Sequence, residues 1–143
     1  MEKQYYEILK LENQLCFPLY AASKEIIKSY GPILSDLSLT YTQYIVMLVL
    51  WEHEKLSVKE LGNKLYLDSG TLTPVVNSLK EKGYIKKERN KDDERVIEVS
   101  LTENGLALKD KAVEIPFRIS QCVALSKDEA KTLYSLLYKL LRK

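Results

Sequence analysis

Residues 57–83 read SVKELGNKLYLDSGTLTPVVNSLKEKG, and two helices joined by a tight turn are written into that stretch. Ser57 with Glu60 three positions on is a capping box, in which hydroxyl and carboxylate satisfy amides that the first helical turn leaves free. Val58, Leu61 and Leu65 then share one face of a short helix ending near Tyr66. Leu67-Asp68-Ser69-Gly70 interrupts it with capping oxygens and a flexible glycine. After the break Leu72, Val75, Val76 and Leu79 recur at helical spacing until Gly83 supplies a stop. Pro74 is expected near the end of the first turn of this second helix, where a missing amide costs little. The pair is a helix-turn-helix.

Downstream, residues 84–89 and 96–101 read as strands, because Ile97, Val99 and Leu101 alternate with polar residues and 90–95 form a charged tip between them. Thr102-Glu103-Asn104 caps a helix expected to run to Pro116, and Ser126 with Glu129 is a further capping box before a last helix to the C-terminus. Upstream, Thr40 with Gln43 opens a helix that is apolar on all sides from Tyr44 to Trp51 and therefore belongs in the core. An amphipathic stretch from about Tyr5 to Tyr30 precedes it and is expected to stop at Gly31-Pro32. Pro18 within that stretch either kinks the helix or marks its start. The expected fold is mainly α with a small β-hairpin (α+β), a winged helix-turn-helix in one domain spanning 1–143. Residues from about 55 to 101 form its DNA-binding part. The last helix carries Leu133, Leu136, Leu137, Leu140 and Leu141 with Tyr134 and Tyr138, a stripe too apolar for one small domain. Pairing of two copies through about 1–36 and 103–143 would bury it.

With 143 residues the chain is long enough for one core, and 45% hydrophobic against 29% charged residues excludes a disordered protein. Five glycines and four prolines leave little loop material. The longest apolar run, 44–51, falls short of the ~18 to 20 residues that cross a bilayer, and the N-terminus lacks a signal pattern. No membrane contact is expected, and the place of action is expected to be cytoplasmic. Two cysteines, Cys16 and Cys122, without a CxxC and with a single histidine, His53, argue against zinc and against a disulfide framework. No metal or cofactor is expected, and His53 reads as a surface or packing residue. The net charge of +2 divides unevenly, −3 over 1–54, +3 over 55–95 and +2 over 96–143, so the basic middle coincides with the helix-turn-helix.

A helix-turn-helix followed at once by a charged hairpin suits double-stranded DNA. The second helix fits the major groove and offers Ser69, Thr71, Thr73, Asn77 and Ser78 to bases and phosphates, with Lys80, Lys82, Lys86 and Lys87 flanking it. The hairpin tip brings Arg95 to the adjacent minor groove, whose field attracts a guanidinium.

The run 65–74 (LYLDSGTLTP), the tip Lys91-Asp92-Asp93-Glu94-Arg95 and the following Ser100-Leu101-Thr102-Glu103-Asn104-Gly105 resemble the MarR family of dimeric bacterial transcription regulators. Residues 11–17 (LENQLCF), 39–44 (LTYTQY) and 51–54 (WEHE) are similar to the organic hydroperoxide resistance regulators (OhrR) within it and to their redox-sensing relatives. The likeness runs from about Leu9 to Leu141 and is weakest between Ile115 and Ser126. It implies a homodimer on a pseudo-palindromic operator. The DNA-contacting set is then Asp68, Ser69, Gly70, Thr71, Thr73, Pro74, Asn77, Ser78, Lys86, Asp93 and Arg95. Some relatives carry Lys or Arg where this chain has Asn77 and Ser78, so base preference is expected to differ.

The resemblance also implies a repressor released from DNA when an organic hydroperoxide oxidises Cys16. A thiol of ordinary pKa, ~8.5, is mostly protonated near neutrality, so the thiolate must be stabilised by donors. Lys10 is the one cation within six positions before Cys16. The family uses tyrosine hydroxyls from the neighbouring part of the dimer, and Tyr30 and Tyr41 occupy the matching positions. Tyr20, one helical turn after Cys16, is a third candidate. Two-cysteine members resolve the oxidised thiol with a cysteine near the C-terminal helices of the other subunit, which the resemblance places at Cys122. That implies an intersubunit Cys16–Cys122 disulfide, which needs Cα atoms within ~7 Å; where the two are farther apart when reduced, helices must move, and that movement would reset the spacing of the two DNA-reading helices. Two other functions compete. One is a repressor released by a noncovalent aromatic ligand. The other is a thiol peroxidase, against which stands the lack of an Arg near Cys16 to polarise a peroxide.

Overall fold

The computed structural model describes residues 2–142. A short helix α1 (Glu2–Tyr5) and two 3₁₀ turns, Tyr6–Leu9 and Leu11–Asn13, lead into the long helix α2 (Cys16–Ser35). The amphipathic pattern from Tyr5 is therefore not one helix. Lys10 and Gln14 adopt extended backbone angles. The side-chain amides of Asn13 and Gln14 bind the carbonyls of Glu7, Ile8 and Lys10, locking the turns in place of helical bonds. Pro18 lies in the first turn of α2, so it marks the start of the helix rather than a kink. At the far end the expected stop at Gly31-Pro32 does not occur, and α2 runs on to Ser35. Gly31 and Pro32 lie on the solvent side, while Ile33 and Leu34 are buried. Docking those two side chains outweighs the single hydrogen bond that Pro32 removes.

Helix α3 (Tyr41–His53) is the centre of the core, with Tyr44, Val46, Met47, Leu50 and Trp51 all buried. Its start is the expected capping box: Thr40 Oγ1 accepts from the Gln43 amide at 3.2 Å, and Gln43 Oε1 accepts from the Thr40 amide at 3.0 Å. A strand absent from the sequence reading follows, β1 (Lys55–Ser57). Helix α4 (Val58–Leu65) uses only half of its expected capping box, the Ser57 hydroxyl accepting from the Glu60 amide. It ends at Tyr66 in the left-handed conformation.

Helix α5 (Ser69–Glu81) starts earlier than its apolar spacing suggests, which puts Pro74 in the second turn rather than the first. The carbonyl of Gly70, left without its helical donor, faces water, and Thr73 reinforces this end by donating from its hydroxyl to the Ser69 carbonyl at 2.7 Å. Gly83, with φ of +81°, closes α5. Its amide bonds the Lys80 carbonyl at 3.0 Å and the Tyr84 amide reaches the Leu79 carbonyl at 3.1 Å, the two bonds of a Schellman motif.

Strands β2 (Ile85–Arg89) and β3 (Ile97–Leu101) form the hairpin, and β1 adds to its other edge, so the sheet has three antiparallel strands in the order β1-β3-β2. Val99 stands opposite both Leu56 and Lys87 and turns into the core beside Ile85. Helix α6 (Glu103–Ala112) stops short of Pro116, which instead occupies the first turn of α7 (Ile115–Ser120). This is the expected position for a residue without an amide to donate. Gly105 is needed where α6 meets the sheet, since a Cβ there would lie 2.1 Å from the Tyr84 carbonyl oxygen. The Gly105 carbonyl accepts the buried Trp51 indole N–H at 2.9 Å, pinning α6 to α3. Helix α8 (Lys127–Leu141) begins at the expected Ser126–Glu129 box and buries none of its residues within the chain.

Candidate nucleic-acid interface and redox site

The exposed face of α5 presents Ser69, Gly70, Thr71, Thr73, Pro74 and Asn77. Asp68 caps the helix, its carboxylate accepting from the Thr71 amide at 2.7 Å. The Thr71 amide and hydroxyl, then the Gly70 amide, hold its carboxyl below the usual range. Asn77 accepts from Lys87 Nζ at 3.1 Å, tying β2 to the outer face of α5. Two residues expected to face outward bond to Gln43 of α3. Ser78, one helical turn past Val75 on the flank of the buried stripe, is half-buried and its hydroxyl accepts from Gln43 Nε2 at 2.9 Å. Lys82, itself exposed, donates to Gln43 Oε1 at 3.0 Å and to the Ser38 carbonyl. Lys80 and Lys86 remain exposed beside the helix.

The wing is shaped by Asn90, whose side-chain oxygen accepts from the Asp92 and Asp93 amides at 2.8 and 3.0 Å. Its amide donates to Glu98, which also meets Lys55 Nζ at 3.1 Å, and those two partners keep the Glu98 carboxyl low. At the tip Arg95 is 90% exposed and Asp93 grips its guanidinium at 3.1 and 3.3 Å. Arg95 in turn lowers the Asp93 carboxyl. Asp93 thus orients the arginine that the wing projects.

Cys16 is the first residue of α2 and Cys122 lies in the turn after α7; both thiols are free and exposed. Cys122 Sγ rests 3.9 Å from the Arg118 carbonyl, and the Arg118 guanidinium bridges to Asp36 of the loop after α2 at 3.0 Å. Tyr30 near the end of α2 and Tyr41 at the start of α3 stack with centroids 4.8 Å apart, and Tyr44, which the sequence reading passed over, joins them 5.8 Å from Tyr30. Its spacing of three from Tyr41 was the signal that could have found it. Burial first, then the neighbouring Tyr41 and Tyr44, pushes the Tyr30 hydroxyl up to about 12; burial also raises Tyr41 and Tyr44. All three stay protonated donors near neutral pH. Tyr20 stands apart from this cluster, 60% exposed, with Lys24 Nζ 5.2 Å from its ring. Fourteen residues at the helical rise put Cys16 about 21 Å from Tyr30 along the α2 axis, so one chain does not bring thiol and tyrosines together.

Around the start of α2 the surface is apolar, with Leu15 85% exposed beside Leu9, Leu11, Phe17 and Leu19. Leu136, Leu140 and Tyr134 on α8 are likewise exposed. No helix among the described residues is long and apolar enough to cross a membrane.

The family model for the transcriptional regulator SarA/Rot matches residues 28–112. The organic hydroperoxide resistance transcriptional regulator of Bacillus subtilis is 51% identical over 136 residues, 95% of this chain and 92% of that protein. Reduced AbfR bound to DNA, AbfR being a protein of Staphylococcus epidermidis, superposes with a TM-score of 0.80 at 35% identity over 98% of this chain and 97% of that one. Disulfide-formed AbfR superposes less closely, with a TM-score of 0.64 at 33% identity over 99% and 97%. The Bacillus protein and the family model both carry the description of transcriptional regulators, and AbfR binds DNA. The match of the family model to more than half of the chain, and of the Bacillus regulator to nearly all of it, places the chain in the MarR-like SarA/Rot family of winged-helix transcriptional regulators, with the organic hydroperoxide resistance regulators.

Proposed function

We propose that the protein is a homodimeric repressor that holds a pseudo-palindromic DNA operator when reduced and releases it when an organic hydroperoxide oxidises Cys16. The observation that carries this reading is the separation along α2: a thiol at one end, and at the other a pair of tyrosines that burial keeps as hydroxyl donors. Two copies pairing through their exposed N-terminal and α8 faces, with the α2 helices antiparallel, set Cys16 of each beside the partner's Tyr30 and the partner's Tyr41. Hydroxyl donors at that spot favour the thiolate over the thiol. Tyr20 lines the approach. On the DNA side, Ser69, Gly70, Thr71, Thr73, Pro74 and Asn77 enter the major groove, with Asp68 as the cap that orients them. Lys86 meets a phosphate, and Asp93 holds Arg95 for the minor groove. The protein works in the cytoplasm, where its DNA lies.

The chemistry is a two-electron oxidation of sulfur. The Cys16 thiolate attacks the outer peroxide oxygen and the O–O bond breaks. A sulfenic acid remains on the protein, while the departing alkoxide takes up a proton and leaves as alcohol. The partner's Cys122 thiol then condenses with the sulfenic acid, forming the S–S bond and releasing water. Exposure of Cys122 supports that second step. The closer fit of this chain to reduced, DNA-bound AbfR than to its disulfide form supports a rearrangement on disulfide formation.

The test is a non-reducing gel with intact mass analysis after one equivalent of cumene hydroperoxide, on wild type, Cys16→Ser and Cys122→Ser. A covalent dimer in wild type that is missing from both variants is the expected result. An unmodified monomer overturns the redox reading, and a modified monomer removes Cys122 from it.

A further inference from the structure

Gln43 is a buried polar residue of the core, 6% exposed, and every hydrogen-bonding group of its side chain has a partner. Its oxygen accepts from the Thr40 amide and from Lys82 Nζ, both at 3.0 Å, and its nitrogen donates to the Ser78 hydroxyl at 2.9 Å. Lys82 also reaches the Ser38 carbonyl. One amide group therefore joins the loop before α3, the first turn of α3, and the last turn and C-terminal cap of α5. Nothing in the DNA contact or in the redox chemistry calls for this knot.

Its location gives it meaning. At 100° per residue Gln43 lies about 200° around α3 from Tyr41, so the same helical turn shows the tyrosines to α2 and the amide to α5. Around it the buried side chains of α3 and α5, such as Met47, Val76 and Leu79, belong to one apolar core. Apolar surfaces set distance but slide at little cost, whereas hydrogen bonds fix direction. Because α5 presents Thr73 and Asn77 about 140° and 100° around its axis from Ser78, a small rotation about that axis redirects both at once.

We propose that Gln43 is a positioning residue that sets the rotation of α5 against α3, and that it carries a displacement of Tyr41 to the DNA-reading face. When oxidation of the partner's Cys16 removes the thiolate that Tyr41 supports, the first turn of α3 shifts, the bonds to Ser78 and Lys82 open, and α5 turns away from the groove. The transmission half of the inference rests on the redox reading; the positioning half does not.

The probe is a DNA duplex selected from a random library by reduced wild-type protein, and its affinity is measured with protein reduced or treated with cumene hydroperoxide. Ser78→Ala is expected to weaken binding by the reduced form about five-fold, the worth of one hydrogen bond, and to leave the oxidised form where it was, narrowing the response to oxidant by the same factor. Gln43→Leu weakens reduced binding at least as much, and the double variant loses nothing further, because both changes break one link. Gln43→Glu, whose carboxylate accepts from Thr40, Ser78 and Lys82, retains the wild-type response. Additive losses for Ser78→Ala and Gln43→Leu would make Ser78 a DNA contact and overturn the positioning role. Equal losses in reduced and oxidised protein would reduce Gln43 to a stabilising residue and overturn the transmission. If wild type shows no response to the oxidant the redox reading falls and takes the transmission half with it, while non-additivity in reduced protein still decides the positioning half.

Discussion

Tyr30 shows how surroundings change the behaviour of an ordinary residue type. Its hydroxyl is pushed up to about 12 by burial and by two neighbouring tyrosines, so folding favours the neutral, donating form. Between pH 10 and 12 the folded chain keeps a proton that the unfolded chain has lost, and stability declines as pH rises through that window. Urea midpoints measured across it are expected to fall less steeply in Tyr30→Phe than in wild type; equal slopes would remove Tyr30 as a source. The same substitution, or Tyr41→Phe, deletes a donor to the proposed thiolate and is expected to slow oxidation of Cys16 about ten-fold in stopped-flow experiments, the scale of one hydrogen bond to a charged group. Rates equal to wild type would leave the tyrosines as packing only. Gly105 makes a steric prediction. With 2.1 Å between a new Cβ and the Tyr84 carbonyl oxygen, Gly105→Ala must push α6 from the sheet, at about 1–3 kcal/mol in equilibrium denaturation.

The wing is a small element held by polar bonds alone at its tip, where Asn90, Glu98 and Lys55 fix the base and Asp93 aims Arg95. Arg95→Ala is expected to weaken DNA binding and lower the slope of log affinity against log salt by about one, the share of one phosphate-field cation. An unchanged slope would place Arg95 away from the duplex. Among the elements, those with capping boxes were legible in the chain: Thr40–Gln43 and Ser126–Glu129 form both of their bonds as read. The misplaced boundaries are those where side chains far along the chain outweigh a local signal. Helix α2 passes Gly31-Pro32 because Ile33 and Leu34 have a core to enter. Strand β1 exists because β3 offers its three residues a ladder.

Among the described residues the chain leaves apolar surface uncovered on the segment leading into α2, at Val113 and Phe117, and on α8. Exposed surfaces of that kind mark association, and a twofold dimer that buries them also sets the separation of the two α5 helices. Placing glutamates on α8, as in Leu136→Glu with Leu140→Glu, is expected to give monomers in sedimentation equilibrium and to lower operator affinity by roughly two orders of magnitude, since one half-site no longer assists the other. Dimers that persist would move the interface elsewhere. On the proposed pairing, such monomers also leave Cys16 without the partner's Tyr30.

The devices that act within a few residues were written plainly in the chain. Capping oxygens, apolar spacing, the alternation of Ile97, Val99 and Leu101, and the left-handed stop at Gly83 determine a helix-turn-helix with a wing, because each works through neighbours three or four positions away or through one backbone angle. The site depended on more. The side chains of Ser78 and Lys82 bond Gln43, and Tyr30 of α2 meets Tyr41 and Tyr44 of α3, and no local pattern encodes either meeting. Side-chain direction and the meeting of distant residues follow from how α2, α3 and α5 pack. Packing is a sum over many weak, non-directional contacts, in which a single position in the sequence carries almost no information.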